Sequence, residues 1–167
     1  MDNRNNHQSR RGGKSTIMKY QNLIKSLPYS YPFLFVDALE HIDELSVKGT
    51  YTFRENLPFY QGHFIGNPIT PGVILTECCA QIGLVCMGLH ILDKTNALNN
   101  NVSLNIVFSS SEMEFYKPVY PNETVTVYSE KVYFRFHKLK CKVKMYNAAK
   151  ELVCKGILAG MIIPTPE

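Results

Sequence analysis

The sequence has little of what marks metal-binding, secreted or nucleic-acid-binding proteins. Its 167 residues include five cysteines (Cys78, Cys79, Cys86, Cys141 and Cys154), and none stands at the paired spacing of a zinc knuckle. Three of them fall inside an apolar run, where a thiol packs as a small hydrophobe. Neither a metal site nor a disulfide framework is expected, and the chain reads as cytoplasmic and reduced. The N-terminal segment lacks an apolar core region, so no secretory signal is expected. Basic residues exceed acidic ones by four, 18 against 14. Three of those four charges come from the first sixteen residues, where Arg4, Arg10, Arg11 and Lys14 meet only Asp2. The rest of the chain is near +1, too little concentrated charge for a nucleic-acid-binding face. No internal repeat is visible.

The length suits one domain with a real core. Residues 1–16 are polar, rich in Asn, Arg, Gly and Ser, and read as a disordered extension. Residues 17–167 read as a single domain. A short helix is expected over Met18–Ser26, with Tyr20, Leu23 and Ile24 inward. Pro32 forces an extended approach to the apolar run that follows it. Val47–Phe53 alternates like a strand with one buried face. Beyond a polar loop at Asn96–Asn101, the segments Val102–Phe108, Met113–Lys117, Glu123–Phe136, Lys138–Asn147 and Leu152–Ile163 are rich in Val, Ile, Tyr and Phe and read as strands. The alternation in Thr124–Tyr128 and Cys141–Met145 fits an antiparallel sheet with one face on a core and one toward solvent.

What organises the chain is the stretch from Pro58 to Leu92. Gly62, Gly66, Pro68, Pro71 and Gly72 make its first part a turn-rich loop, in which only His63 titrates near neutral pH. Its second part opens like a helix: Thr70 suits the cap, Pro71 the first helical position, and Gly72 leaves the backbone approachable. From Val73 to Leu92 the residues are almost all apolar, with Glu77 and Gln81 the exceptions. A helix apolar on all sides is a buried helix. The run has transmembrane length, but Glu77, Gln81 and two glycines interrupt it, so no membrane span is expected. The layout is α+β: an antiparallel sheet wrapped around one long central helix.

A buried carboxylate must be neutral, partnered or used. Glu77 therefore has two readings, a structural hydrogen bond to backbone or a proton-handling role. His63 can fold back toward the helix start, where the free amides, that of Gly72 among them, and the positive dipole end would polarise a carbonyl as an oxyanion hole does. One base, one acid and a polarised carbonyl suit an elimination next to a thioester. Gln81 reads either as a second-shell hydrogen bond to the His63 loop or as a helix-to-sheet contact. His41, His90 and His137 read as surface or cap residues.

The run Gly62-His63-Phe64-Ile65-Gly66-Asn67-Pro68-Ile69-Thr70-Pro71-Gly72-Val73, followed by Glu77 and Ala80-Gln81, resembles the hot-dog-fold 3-hydroxyacyl-[acyl-carrier-protein] dehydratases of the FabZ type. Leu27–Asp37 and Phe115–Pro121 are similar to other segments of that family, and the resemblance spans about Leu27 to Ile163. It implies the hot-dog fold, with His63 as base, Glu77 as acid and the Gly72 amide on the thioester oxygen. It also implies a homodimer, with a trimer of dimers as the larger assembly, in which the His of one subunit meets the Glu of the other. No cofactor is implied, because the acyl chain arrives on the phosphopantetheine of an acyl carrier protein and enters an apolar tunnel. Phe59, Tyr60, Phe64 and Phe108 are tunnel candidates and equally core candidates. The related dehydratase–isomerase branch carries Asp where this chain has Glu77, which favours plain dehydration. Ile65 in place of a usual proline implies a less rigid loop. The resemblance implies a place in fatty-acid or polyketide/polyene-type biosynthesis; Tyr29-Ser30 in place of His-Arg, and Cys78-Cys79 in place of Ala-Met, imply a divergent member and lean toward a polyketide, polyene or pigment pathway. Lys117, Arg135, Lys138 and Lys140 are candidates to meet the acidic carrier, set against the common use of strand lysines to protect sheet edges. The alternatives are a hot-dog acyl thioesterase, which would not need His63, and a non-catalytic hot-dog subunit.

Overall fold

A computed structural model of the chain describes residues 20–94 and 104–164. The expected disorder of residues 1–16 and the loop at Asn96–Asn101 lie outside the described residues. A short helix α1 (Gln21–Lys25) comes first, with Ile24 buried, as its apolar spacing predicts. Strands β1 (Ala38–Ile42) and β2 (Ser46–Thr52) follow as a hairpin. Its turn is held by Asp43, whose Oδ1 accepts the Leu45 and Ser46 amides at 2.7 Å each. A 3-10 turn (Pro58–Gln61) leads into the loop that carries His63. The long helix α2 then runs from Gly72 to Lys94. Strands β3 (Leu104–Phe115), β4 (Thr124–Arg135), β5 (Lys138–Tyr146) and β6 (Leu152–Pro164) complete the fold.

All six strands belong to one antiparallel sheet in the order β1-β2-β4-β5-β6-β3. The alternation read from the sequence is real burial: Leu139, Cys141, Val143 and Met145 of β5 face the helix and are buried. The strands expected at Val102–Phe108 and Met113–Lys117 are one continuous strand. Its polar middle, Ser110–Glu112, pairs with Ala159–Ile157 of β6 beyond a bulge between Phe108 and Ser110. At Ser109–Glu112 successive residues of this edge strand are exposed, and there backbone pairing carries the strand without any apolar alternation.

Helix α2 lies across the inner face of the sheet, and 72% of its most apolar window is buried there. It is the one helix among the described residues long and apolar enough to cross a membrane. Its middle, Gln81–Val85, widens to a π-helix that packs on β2, β4, β5 and β6. The fit is close. A Cβ on Gly83 would lie 2.9 Å from both Ser129 Cβ and Val143 Cγ1, and the Ser129 hydroxyl donates to the Gly83 carbonyl at 2.9 Å. Gly83→Ala is therefore expected to lower stability by about 1–3 kcal/mol through overpacking, read as a drop in Tm at unchanged unfolding cooperativity.

The helix start differs from expectation. Pro71 is the cap itself, with the helix beginning at Gly72, and no side chain caps it. Thr70 is buried, and its hydroxyl is paired with Tyr60 Oη at 2.6 Å, so it is not available to the helix amides. All five cysteines are buried free thiols. Burial pushes the Cys86 thiol up to about 12 and Cys141 up to about 11, which leaves both protonated and inert as nucleophiles.

Candidate active site

His63 sits in a loop closed on itself by backbone bonds. Its N–H donates to Phe59 O at 3.0 Å, and its carbonyl accepts the Ile69 N–H at 3.0 Å. Phe64 and Asn67 exchange two more bonds at 3.1 and 3.0 Å, and the Thr70 N–H reaches Val119 O at 2.8 Å. None of these bonds involves residue 65, so the isoleucine there leaves the closure intact.

The imidazole is oriented through Nδ1, which lies 2.9 Å from the Ile69 carbonyl oxygen. A carbonyl only accepts, so Nδ1 carries the proton in the neutral ring and Nε2 keeps a free lone pair. That is the tautomer a general base needs. Phe64 stacks on the same ring, with centroids 3.9 Å apart. The ring opens onto a shallow cleft of about 340 Å³, whose walls include Thr70, Gly72, Leu75, Phe115 and Lys117.

Helix α2 begins in this cleft. The first amides with intrahelical or turn acceptors are those of Ile74 and Leu75, both bonded to Pro71 O. Those of Gly72 and Val73 meet no acceptor among the described residues, so two N–H groups and the helix dipole point out at the His63 side. A Cβ at Gly72 would lie 3.3 Å from Phe115 Cζ. The missing side chain thus admits the Phe115 ring, which covers the helix start beside the open amides. The sequence places Phe115 on the expected strand Met113–Lys117 and in a segment that resembles the family, and neither reading gives it a place at the site. Its position over Gly72 depends on β3 pairing with β6 and has no local signal.

Glu77 occupies a different surrounding and is not among the residues lining the His63 cleft. Its Oε1 accepts from Gln81 Nε2 at 2.9 Å. The same Nε2 donates to Phe33 O at 2.9 Å, and Gln81 Oε1 accepts the Phe35 N–H at 2.8 Å. Gln81 is fully buried. Of its two readings, the bond to the His63 loop is corrected: the amide ties the helix to the Phe33–Phe35 segment and holds Glu77. The partner of Glu77 is therefore a side chain, and not the backbone group expected of a structural carboxylate. Tyr29, which sequence reading noted only as a departure, also lies near Glu77. Its phenol is pushed up to about 12, first by burial and then by the Glu77 carboxylate. It remains a neutral group beside the acid.

Of the tunnel candidates, Tyr60 belongs to the core and Phe59 packs against it, whereas Phe64 and Phe108 are exposed. Among the described residues, no group of three or more His, Cys, Asp or Glu side chains is placed to hold a metal. Within one chain, then, the structure holds an oriented imidazole beside open helix amides and, outside that cleft, a carboxylate held by a buried amide.

The model of the FabA-like domain matches residues 27–157. The chain is 34% identical over 142 residues to the 3-hydroxyacyl-[acyl-carrier-protein] dehydratase FabZ of Alkaliphilus metalliredigens, covering 83% of this chain and 90% of that protein. It is 33% identical over 144 residues to the enzyme of the same name from a Wolbachia of Drosophila simulans, covering 84% and 94%. Among solved structures, a mutant thioesterase of Pseudomonas aeruginosa superposes with a TM-score of 0.61 at 12% identity, covering 87% of this chain and 94% of that one. A Streptococcus mutans protein bound to acetyl CoA superposes at 0.59 and 14% identity, covering 84% and 98%. At such identities the likeness concerns the hot-dog fold alone.

Proposed function

The chain belongs to the FabA-like family, and from that premise we propose that His63 and Glu77 carry its chemistry across a dimer. The enzyme is a hydro-lyase of the 3-hydroxyacyl-[acyl-carrier-protein] dehydratase kind. It converts a 3-hydroxyacyl thioester to the trans-2-enoyl thioester and water. His63 Nε2 takes the proton α to the carbonyl. Charge then grows on the thioester oxygen, which accepts from the Gly72 N–H at the positive end of α2. Glu77 protonates the departing β-hydroxyl. One proton and one hydroxide leave as water, so no electron carrier and no metal are needed. The acyl group comes on the phosphopantetheine of an acyl carrier protein.

The single observation that carries this reading is the Nδ1 bond to Ile69 O, which leaves Nε2 basic beside the unsatisfied Gly72 amide. The dimer is supported by what one chain leaves uncovered. Ile65 is 92% exposed, Val73 76% and Phe64 55%, all around the His63 loop and the start of α2. Edge strand β3 adds Phe115 to this surface, exposes Phe108 farther along, and pairs on one side only. An apolar patch next to an open edge is what a second copy would bury.

Complementation tests the shared site. His63→Ala and Glu77→Gln subunits, produced together, form heterodimers in which one of two sites has both groups. Random pairing makes half the dimers mixed, so about a quarter of the parental activity is expected to return. Absence of any recovery in verified heterodimers would rule out a site built from two subunits.

A further inference from the structure

Strands β4 and β5 are joined by a two-residue turn, Phe136-His137, between the paired residues Arg135 and Lys138. Both turn residues have positive φ, 51° and 57°. Such a turn normally takes Asn-Gly, and a bulky aromatic there is an outlier. Phe136 is also 87% exposed. The chain thus holds a large apolar side chain in a strained backbone state and aims it at solvent. His137 O accepts the Ile162 N–H at 2.8 Å and so ties the turn to β6, but the exposed Phe136 ring gains no packing from the strained backbone, which points to a function of the tip.

Below the tip runs a row of positive charge. On β5, Lys138, Lys140, Lys142 and Lys144 alternate with buried Leu139, Cys141 and Val143, so all four lysines share the outer face of the sheet. Arg135 stands beside Lys138 on β4. None of these five makes an ion pair among the described residues. Lys142 is opposite Glu130, but Lys144 is opposite Lys155, a like-charge pairing that works against the fold. Edge protection does not explain the row, because β5 lies between β4 and β6 in the interior of the sheet.

We propose that this end of the β4–β5 hairpin docks on an anionic phospholipid bilayer, with Phe136 inserted among the headgroups and Arg135, Lys138, Lys140, Lys142 and Lys144 lying along the phosphates. A lone apolar tip with a basic row behind it is the two-signal arrangement of reversible membrane binding. A bilayer suits this surface better than a protein does. Lysine is depleted at the cores of protein interfaces. Flexible ammonium groups instead follow a fluid layer of phosphates without fixed geometry. The proposal is independent of the catalytic assignment.

The test is sedimentation of the full chain with vesicles of phosphatidylcholine alone or with about a third phosphatidylglycerol, at about 0.1 M salt, where the Debye length is about 10 Å. Binding is expected on the anionic vesicles and is expected to fall as salt rises. Phe136→Asn should weaken that binding about tenfold while Tm rises or holds, since Asn suits positive φ. The pair Lys138→Glu and Lys140→Glu should abolish the preference for anionic vesicles and leave dehydratase turnover of a soluble thioester unchanged. Three results would overturn the proposal. The first is no binding by the parent chain. The second is equal binding by Phe136→Asn. The third is a smaller oligomer, or weaker turnover of carrier-bound substrate, in these variants with vesicle binding intact, which would assign the face to a second copy or to the carrier.

Discussion

His63→Ala is expected to lower kcat/KM for dehydration by about 10³-fold, within the 10²–10⁴ range of a placed general base and equivalent to about 4 kcal/mol of transition-state stabilisation. The assay is the rise in conjugated enoyl-thioester absorbance as the 3-hydroxyacyl thioester is dehydrated. The fold should survive, because the side chain makes one hydrogen bond, Nδ1 to Ile69 O, worth about 0.5–1.5 kcal/mol net. The loop around it is closed by backbone bonds that do not involve the ring. A near-parental Tm with lost turnover is the signature of the base. Thioester hydrolysis that persists in His63→Ala would instead favour thioesterase chemistry, and retained dehydration would remove His63 from the mechanism.

Glu77→Gln is expected to cost about 10²–10³-fold in kcat, with little change in Tm. The substitution is nearly isosteric, and the new side-chain carbonyl can still accept from Gln81 Nε2. What disappears is the transferable proton. The loss should fall mainly on kcat, since the acid acts on the leaving hydroxyl as it departs. A variant with parental kcat would show that Glu77 is held by Gln81 for structural reasons alone. These two substitutions also separate the inactive-subunit reading from the rest, because a non-catalytic subunit would show no turnover before either change.

Much of the candidate site was legible in the sequence because its parts are neighbours along the chain. The loop glycines and prolines, His63, Pro71-Gly72 and Glu77 fall within a span short enough for spacing to place them around one helix start. The error at Thr70 shows where that logic ends. A threonine before Pro-Gly is a fair cap from sequence, but Tyr60, ten residues earlier, claims its hydroxyl at 2.6 Å. Gln81 was ambiguous for the same reason. Its partners at Phe33 and Phe35 are 48 and 46 residues away, and no local pattern announces them. The two strands expected before Lys117 merged into one because pairing with β6 outweighs the polar run at Ser110–Glu112. The π-helical segment at Gln81–Val85 likewise follows from packing against four strands.

Periodicity and composition by themselves determined the α+β architecture and the buried central helix, and singled out His63 and Glu77 as candidates for proton handling, because each rests on residues close in the chain. Only the tertiary structure decided which tautomer His63 adopts, which amide holds Glu77, that Phe115 roofs the helix start, and that His63 and Glu77 do not share a cleft within one chain. Those outcomes depend on strands and loops brought together across long separations, where a distance of a few tenths of an ångström selects the partner and the sequence carries no local record of it.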